Sequence, residues 1–171
     1  EVIAFYGLHP WYVNGCRDRW EDLLRGRLES DVTAGVGEIG LDKWMRDHDM
    51  ARQKMAFASQ LEMAQEFQRP AVIHCLKAWG ALKDCLDNSP FTGRFLLHSY
   101  SGPADMIEYF VQRGAWFSIS GYFFREDKAA KLAVFDSVPE DRILLETDAP
   151  DMHPPETVSY THLTLPTTRL V

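Results

Sequence analysis

The stretch RILLETDAP, residues 142–150, is the one from which the fold of this chain can be worked out. Ile143 to Leu145 have the character of a strand that enters a hydrophobic core, and two acids, Glu146 and Asp148, stand where it ends. Carboxylates are rarely buried without partners. The stretch therefore predicts a buried strand whose end carries charge that something else must compensate.

Five further apolar runs have the same character. They are rich in β-branched or aromatic residues and bounded by Gly or Pro, which favours strands. Most are apolar at consecutive positions, as expected of strands covered on both faces. The runs are VIAFYGL (2–8), TAGVGEIGL (33–41), PAVIHC (70–75), RFLLHSY (94–100) and AWFSIS (115–120).

Helical patterns separate these strands. Residues 49–68 place Met50, Phe57, Leu61, Ala64 and Phe67 on one face of a long helix. A second helix is predicted to begin at Pro103 and to end at Gly114. Shorter helices are predicted over 20–28, 78–86 and 127–135. Strands that alternate with helices in this way, without a sequence repeat, predict a parallel α/β fold.

Polar residues at successive strand ends favour a barrel over an open nucleotide-binding sheet. The segment GVGEIG (35–40) lacks the spacing of a dinucleotide fingerprint and does not lead into a helix. A (β/α) barrel builds its site from the strand ends, but a complete one needs eight strands and about 250 residues. The chain is therefore predicted to form an incomplete TIM-type (β/α) barrel, with about six of the eight strands and with the first and last missing.

The predicted barrel domain comprises residues 1–156. The remaining segment, TVSYTHLTLPTTRLV (157–171), contains five threonines and continues neither the strand nor the helix pattern. We interpret it as a non-native or disordered tail and assign it no function.

Composition excludes several functional classes. With 171 residues, 46% of them hydrophobic and 25% charged, the chain resembles an ordinary globular domain. It has neither an apolar run long enough to span a membrane nor a basic, apolar leader, so a cytoplasmic protein without membrane contact is expected. No obligate protein partner is evident.

Charge and cysteine content narrow the possibilities further. Three cysteines without a close pair predict neither a disulfide framework nor a cysteine zinc site. The formal net charge of −7 argues against broad electrostatic adhesion to nucleic acid. Any contact with a phosphate backbone therefore requires local cations or bound metal.

Four strands end in side chains that can bind metal: Glu38, His74, His98 and Asp148. The intervals of 36, 24 and 50 residues correspond to one, one and two βα units, so all four side chains can converge at one end of a barrel. Imidazole and carboxylate without thiolate suit zinc, manganese, iron or magnesium. A divalent cation would also compensate the acids at the end of the apolar strand.

Each of these residues also has a simpler interpretation. A histidine at a strand end is more often a hydrogen-bonded structural residue. Asp148 can serve as a turn former before Ala149 and Pro150, and Glu146 can form an ion pair with Arg142 or Lys131. The concurrence of donors at equivalent ends of four strands favours a metal site.

Five motifs together resemble the TatD family of metal-dependent deoxyribonucleases. The resemblance covers residues 1–156 and implies an amidohydrolase-like TIM barrel whose metal site hydrolyses phosphodiester bonds in DNA. Each motif alone is weak, but their order and spacing are specific. The motifs are GLHP (7–10), GEIGLD (37–42), IHC with KAWG (73–80), LHSYSG (97–102) and LLETDAP (144–150).

The resemblance also implies roles for individual residues. Glu38 would be shared by two divalent ions (Mg, Mn or Zn), and His74 and His98 would bind one of them. Asp148 would bind the other and orient or deprotonate the attacking water. His9 would lie near the substrate phosphate; the alternative is that it only caps the strand end before Pro10.

Three further residues complete the predicted site. Asp42 would face the substrate or support the ligands from behind, and Lys77 would contact the substrate. Glu146, which shares its side-chain parity with Asp148, would support the site from the layer below. Aromatic residues near the strand ends, Trp79, Tyr100 and Tyr122, are candidates for stacking on exposed bases.

The chain departs from the family pattern at two places. The family begins with a strand that carries a His-x-His pair, which this chain lacks. The family usually has arginine two residues after the histidine matched by His74, whereas here Leu76 is followed by Lys77.

Three functions remain possible on sequence grounds. The first is a metal-dependent deoxyribonuclease acting on single-stranded or frayed DNA ends, in which the present chain alone is weakly active or inactive. The second is an ester or amide hydrolase of the same fold, because bridging metals activate water for either reaction. The third is a non-catalytic, truncated fragment.

Overall fold

The computed structural model describes residues 2–148, which form one sheet of six parallel strands. The strands follow one another in sequence order across the sheet, each paired in parallel with the next. All six predicted strands are present. They are β1 (Phe5–Tyr6), β2 (Gly35–Asp42), β3 (Ala71–Leu76), β4 (Phe95–Leu97), β5 (Ala115–Ser120) and β6 (Ile143–Glu146).

Five α-helices alternate with the strands, as predicted. They are α1 (Trp20–Ser30), α2 (Met50–Glu66), α3 (Trp79–Asp87), α4 (Ile107–Gln112) and α5 (Ala129–Leu132). The last two are shorter than predicted, because 3₁₀ turns precede α4 and flank α5. Pro103 stands before the first of these turns in extended conformation. The boundaries of the long helix were predicted closely, since Asp49 caps α2 by accepting a hydrogen bond of 3.0 Å from the Arg52 amide.

The core lies between the helices and the sheet. The predicted apolar face of α2 buries Phe57, Leu61 and Ala64 fully and leaves Met50 and Phe67 half-buried. Aromatic rings fill the centre: Tyr100 packs edge-on against Phe117 of β5 at a centroid distance of 5.1 Å. Tyr100 is completely buried, so the prediction that it stacks on nucleic-acid bases is wrong.

The sheet is open within the described residues, which agrees with an incomplete barrel. The edge strands β1 and β6 each pair with a single neighbour. Both edges expose apolar side chains, and Leu145 of β6 is 84% exposed. The sequence order of the strands is that of a (β/α) barrel whose wall is not closed here.

An irregularity in β2 shapes the part of the strand that carries Glu38. The pairing of β2 with β3 shifts register between Val36 and Ile39, and β-bulges of this kind re-aim side chains. Two residues later the chain requires glycine: Gly40 has a φ of +142°, and a Cβ there would lie 1.9 Å from the His74 carbonyl oxygen. The close approach of β2 to β3 brings Asp42 beside His74.

Other sequence predictions concern the chain as a whole. No helix among residues 2–148 is long and apolar enough to cross a membrane. The three cysteines are free thiols, as predicted. The predicted tail at 157–171 and the end of the predicted domain, residues 149–156, lie outside the described residues.

Candidate metal centre

Five metal-capable side chains converge at the carboxyl ends of the strands. The structure places them in two groups of three, and within each group the ligand atoms lie within 4.8 Å of one another. Glu38 belongs to both groups. The groups are His9, Glu38 and His74, and Glu38, His98 and Asp148.

The two central histidines are spaced as metal ligands require. Nδ1 of His74 lies 3.4 Å from Nε2 of His98. Two nitrogens bound to one tetrahedral ion at 2.0–2.1 Å are themselves about 3.4 Å apart. The nearest oxygen of Glu38 lies 3.8 Å from Nε2 of His98 and 3.6 Å from Nε2 of His9. The geometry and the donor types therefore fit a divalent cation.

Asp42 holds the His74 ring from behind. Its Oδ2 lies 3.0 Å from Nε2 of His74 and accepts a hydrogen bond of 2.6 Å from the Trp11 indole. Its Oδ1 accepts a bond of 2.7 Å from the Trp44 amide. Burial would raise the pKa of Asp42, but the hydrogen bonds from His74, Trp11 and Trp44 lower it to about 2. A carboxylate in this position leaves Nδ1 of His74 free for a metal.

These contacts discriminate between the two roles predicted for Asp42. The side chain is completely buried, and each of its oxygens accepts a hydrogen bond from the protein. A substrate-facing role would require an accessible oxygen. The geometry favours the supporting role.

Glu146 occupies the corresponding place behind His98. Its oxygens accept hydrogen bonds from the hydroxyls of Ser99 and Ser118, and Oε2 lies 3.6 Å from Nδ1 of His98. Burial opposes the charged form, but His98 and the two serine hydroxyls lower the pKa of Glu146. This position, one layer below the ligand groups, is the one predicted from side-chain parity.

The carboxylates around His98 favour the protonated form of its ring. Burial alone would lower the pKa of His98, but Glu146, Glu38 and Asp148 raise it to about 9. Three carboxylates thus surround a nearly buried ring and stabilise positive charge. A bound divalent cation would take over this role.

Asp148 and Lys77 lie on strained backbone beside the site. Oδ1 of Asp148 lies 3.6 Å from Nδ1 of His98. The exposed Lys77 directly follows β3. Lys77, Ser99 and Asp148 have φ values of 54°, 44° and 50°, in the left-handed region that costs non-glycine residues on the order of 1–3 kcal/mol each. Strained residues often cluster at functional sites, and these three lie just beyond the ends of β3, β4 and β6.

Three residues of the site were not predicted. The Trp11 ring packs edge-on against His9 at a centroid distance of 4.9 Å, besides its bond to Asp42. Gln53 and Gln60 of α2 are 1% exposed and bind the backbone at the ends of neighbouring strands. The sequence does indicate the two glutamines, because they are seven residues apart and lie on the same helix face as Phe57. A polar residue on an apolar helix face needs a buried hydrogen-bond partner.

Both glutamines act as paired clamps. The Gln53 amide accepts from the Asp42 N–H at 2.7 Å and donates to the Asp42 carbonyl at 3.0 Å. The Gln60 amide does the same for Leu8, the residue before His9, at 2.6 and 3.2 Å. Helix α2 thereby fixes two strand ends of the site.

Replacing Gln53 with leucine is expected to destabilise the fold by about 1–3 kcal/mol, because two buried backbone groups lose their partners. Chemical denaturation monitored by circular dichroism measures the change. Lys54→Leu, at an exposed position of the same helix, serves as the control and is expected to shift the free energy of unfolding by less than about 0.5 kcal/mol. Equal changes in the free energy of unfolding for the two substitutions would contradict the stabilising role of the Gln53 hydrogen bonds.

Comparison with known proteins assigns the chain to a family. Residues 1–166 match the family model described as TatD related DNase. The chain belongs to the TatD DNase family. The resemblance noted in its five motifs is therefore confirmed, as is the expectation of a TIM-type α/β architecture.

Individual TatD relatives are similar along most of the chain. A protein of Dickeya dadantii named 3'-5' ssDNA/RNA exonuclease TatD is 32% identical over 158 residues, covering 86% of this chain. The crystal structure of YjjV, a TatD homologue from Escherichia coli, superimposes with a TM-score of 0.83 at 29% identity and covers 90% of this chain. A TatD-family hydrolase from Entamoeba histolytica shares the fold, with a TM-score of 0.78 at 21% identity.

The chain spans only part of these TatD proteins. It covers 59% of the Dickeya protein, 60% of the YjjV structure and 56% of the Entamoeba structure. The YjjV protein of Escherichia coli, 32% identical over 154 residues, is named an uncharacterized metal-dependent hydrolase. Metal dependence in that relative agrees with the ligand groups present here.

Proposed function

We propose that the whole protein is a metal-dependent nuclease that hydrolyses phosphodiester bonds in single-stranded DNA or at frayed ends. The observation that carries the proposal is the pair of ligand groups joined by Glu38 in a TatD-family chain. The Dickeya relative, named a 3'-5' ssDNA/RNA exonuclease, supports nucleic acid as the substrate and cleavage from the 3' end.

Two divalent ions are proposed, bound by the side chains of the two ligand groups. His74 and His98 present facing nitrogens 3.4 Å apart to one ion. Asp148, which lies in one group with Glu38 and His98, serves the other. Glu38 serves both, since its carboxylate belongs to both groups. Such ions, when bound, lower the pKa of water and stabilise charge on a phosphate oxygen. Mg, Mn and Zn all suit this mixture of imidazole and carboxylate.

The protein's own groups have distinct tasks in this proposal. Asp42 and Glu146 hold the two histidine rings so that one nitrogen of each faces the site. Asp148 accepts the proton of the attacking water, which requires only hydrogen-bond reach. His9 and Lys77 bind the substrate. The contact of His9 with Trp11 and its distance of 3.6 Å from Glu38 support a position beside the proposed ions.

The chain of 171 residues is proposed to be weakly active or inactive alone, because the sheet formed by residues 2–148 leaves two edges unpaired. Hydrolysis is therefore assayed with the whole protein, whereas metal binding is measured on this chain.

Activity on single-stranded DNA is expected to disappear on dialysis against EDTA and to return with Mn²⁺ or Mg²⁺. A panel of esters and lactones, tested under the same conditions, separates the nuclease from an ester or amide hydrolase of the same fold. Nuclease activity that survives complete metal removal would contradict the metal-dependent mechanism. Hydrolysis confined to the panel would instead assign the site to the alternative substrate class.

A further inference from the structure

Three large aromatic side chains are exposed on one side of the candidate metal centre. Trp11 and Tyr12 lie in the 3₁₀ turn after β1, and Trp44 lies in the loop after β2. They are 39%, 56% and 62% exposed. The Trp11 ring lies 6.2 Å from the His74 ring between centroids, so this aromatic surface adjoins the ligands.

The two loops that carry these rings are tied together. The Trp11 indole N–H and the Trp44 amide donate to the two oxygens of the Asp42 carboxylate, at 2.6 and 2.7 Å. The Asn14 side chain donates to the Asp47 carbonyl at 2.9 Å. Because the loops are held before any ligand arrives, little conformational entropy is lost when a ligand binds them.

Exposed cations flank the aromatic surface. Lys43 precedes Trp44 in the sequence and Arg46 follows two residues later. Lys77 follows the neighbouring strand, β3. The Lys43 amide donates to the Leu76 carbonyl at 2.9 Å, so the backbones at Lys43 and Lys77 run side by side. The same loop carries two acids, the exposed Asp47 and the half-buried Asp49, which forms an ion pair with Arg52. In a chain of net charge −7, this is a local concentration of positive charge beside the site.

Aromatic rings interleaved with cations are the combination that binds single-stranded nucleic acid. We propose that Tyr12 and Trp44 stack on unpaired bases while Lys43, Arg46 and Lys77 contact the adjoining phosphates. Trp11 holds this aromatic surface in place, because its indole N–H donates a hydrogen bond to Asp42. The inference rests on the proposed function and adds to it the surface that selects single strands.

This arrangement has two consequences for recognition. Bases stacked within a duplex cannot offer their faces to Tyr12 and Trp44, so the aromatic surface discriminates against double-stranded DNA. Stacking tolerates any base. The three cations limit the salt dependence of binding to a slope of about −2 when the logarithm of the association constant is plotted against the logarithm of the salt concentration.

The test measures binding rather than cleavage, on the chain of 171 residues in EDTA. The probes are a fluorescein-labelled oligothymidylate of about ten nucleotides, within the range of single-strand site sizes, and an abasic strand of equal length. Trp44→Ala and Tyr12→Ala are each expected to weaken oligothymidylate binding about five-fold or more while leaving the abasic probe unaffected. Lys43→Gln is expected to weaken both probes and to reduce the salt slope by about one.

Phe124→Ala provides the matched control. Phe124 is 59% exposed and follows β5, three strands from β2, so its loss should change neither probe. The inference is overturned if the unaltered chain fails to bind oligothymidylate, if Trp44→Ala and Tyr12→Ala bind it normally, or if they weaken both probes equally. Hydrolysis by the metal-loaded whole protein is measured separately. A failure of the nuclease proposal can therefore be distinguished from a failure of the proposed binding to the aromatic surface.

Discussion

Replacing Glu38 with glutamine is expected to abolish tight divalent-metal binding, because this carboxylate belongs to both ligand groups. Residues that merely support ligands contribute 10–100-fold to metal affinity, so removal of a shared ligand should cost about a hundred-fold or more. The measurement is the Mn²⁺ content of the dialysed chain, followed by calorimetric titration. Glu62→Gln makes the same chemical change at an exposed position of α2 and should leave binding unchanged.

A comparison with two other variants identifies what Glu38 does. His74→Ala removes a proposed ligand that belongs to one group only, and Asp148→Asn alters a member of the other group only. Each is expected to lower metal content less than Glu38→Gln does. If Glu38→Gln retained as much metal as the unaltered chain, the shared-ligand role would be wrong.

The fold was predictable because the apolar runs are consecutive and regularly spaced, as covered parallel strands require. The first and last residues of the strands were less predictable. The run at 2–8 forms only Phe5–Tyr6, since an edge strand has a single neighbour to bond. The run at 94–100 ends at Leu97, where the chain turns and the Ser99 amide bonds the Ser118 hydroxyl. Tertiary contacts decide where such strands end, and the hydrophobic periodicity of the sequence carries no information about those contacts.

The candidate site was predictable to a different extent. Ligand types at strand ends identify Glu38, His74, His98 and Asp148, because parallel strands bring their carboxyl ends to one side. The partners behind them are harder to find. Trp11 bonds Asp42 across 31 residues, a contact that no local pattern encodes. Gln53 did leave a signal, as a polar residue in phase with a buried helix face.

Asp148→Asn in the whole protein is expected to reduce hydrolysis about 10²–10⁴-fold, the range associated with loss of a general base. The amide keeps the shape of the side chain but cannot accept a proton. The backbone at this position is already left-handed, with a φ of 50°, a conformation that asparagine tolerates. The variant should therefore fold normally. Asp141→Asn, with its side chain 82% exposed, makes the same change outside the ligand groups and should retain full activity.

Metal content separates the two tasks that Asp148 could perform. Its carboxylate lies in one group with Glu38 and His98, so the substitution can act through lost ligation as well as through lost proton transfer. Turnover that falls while metal content stays at the unaltered level would assign the proton-accepting role, because ligation would then be intact. A parallel fall in both would assign ligation alone. Turnover that stays unchanged would remove Asp148 from catalysis altogether.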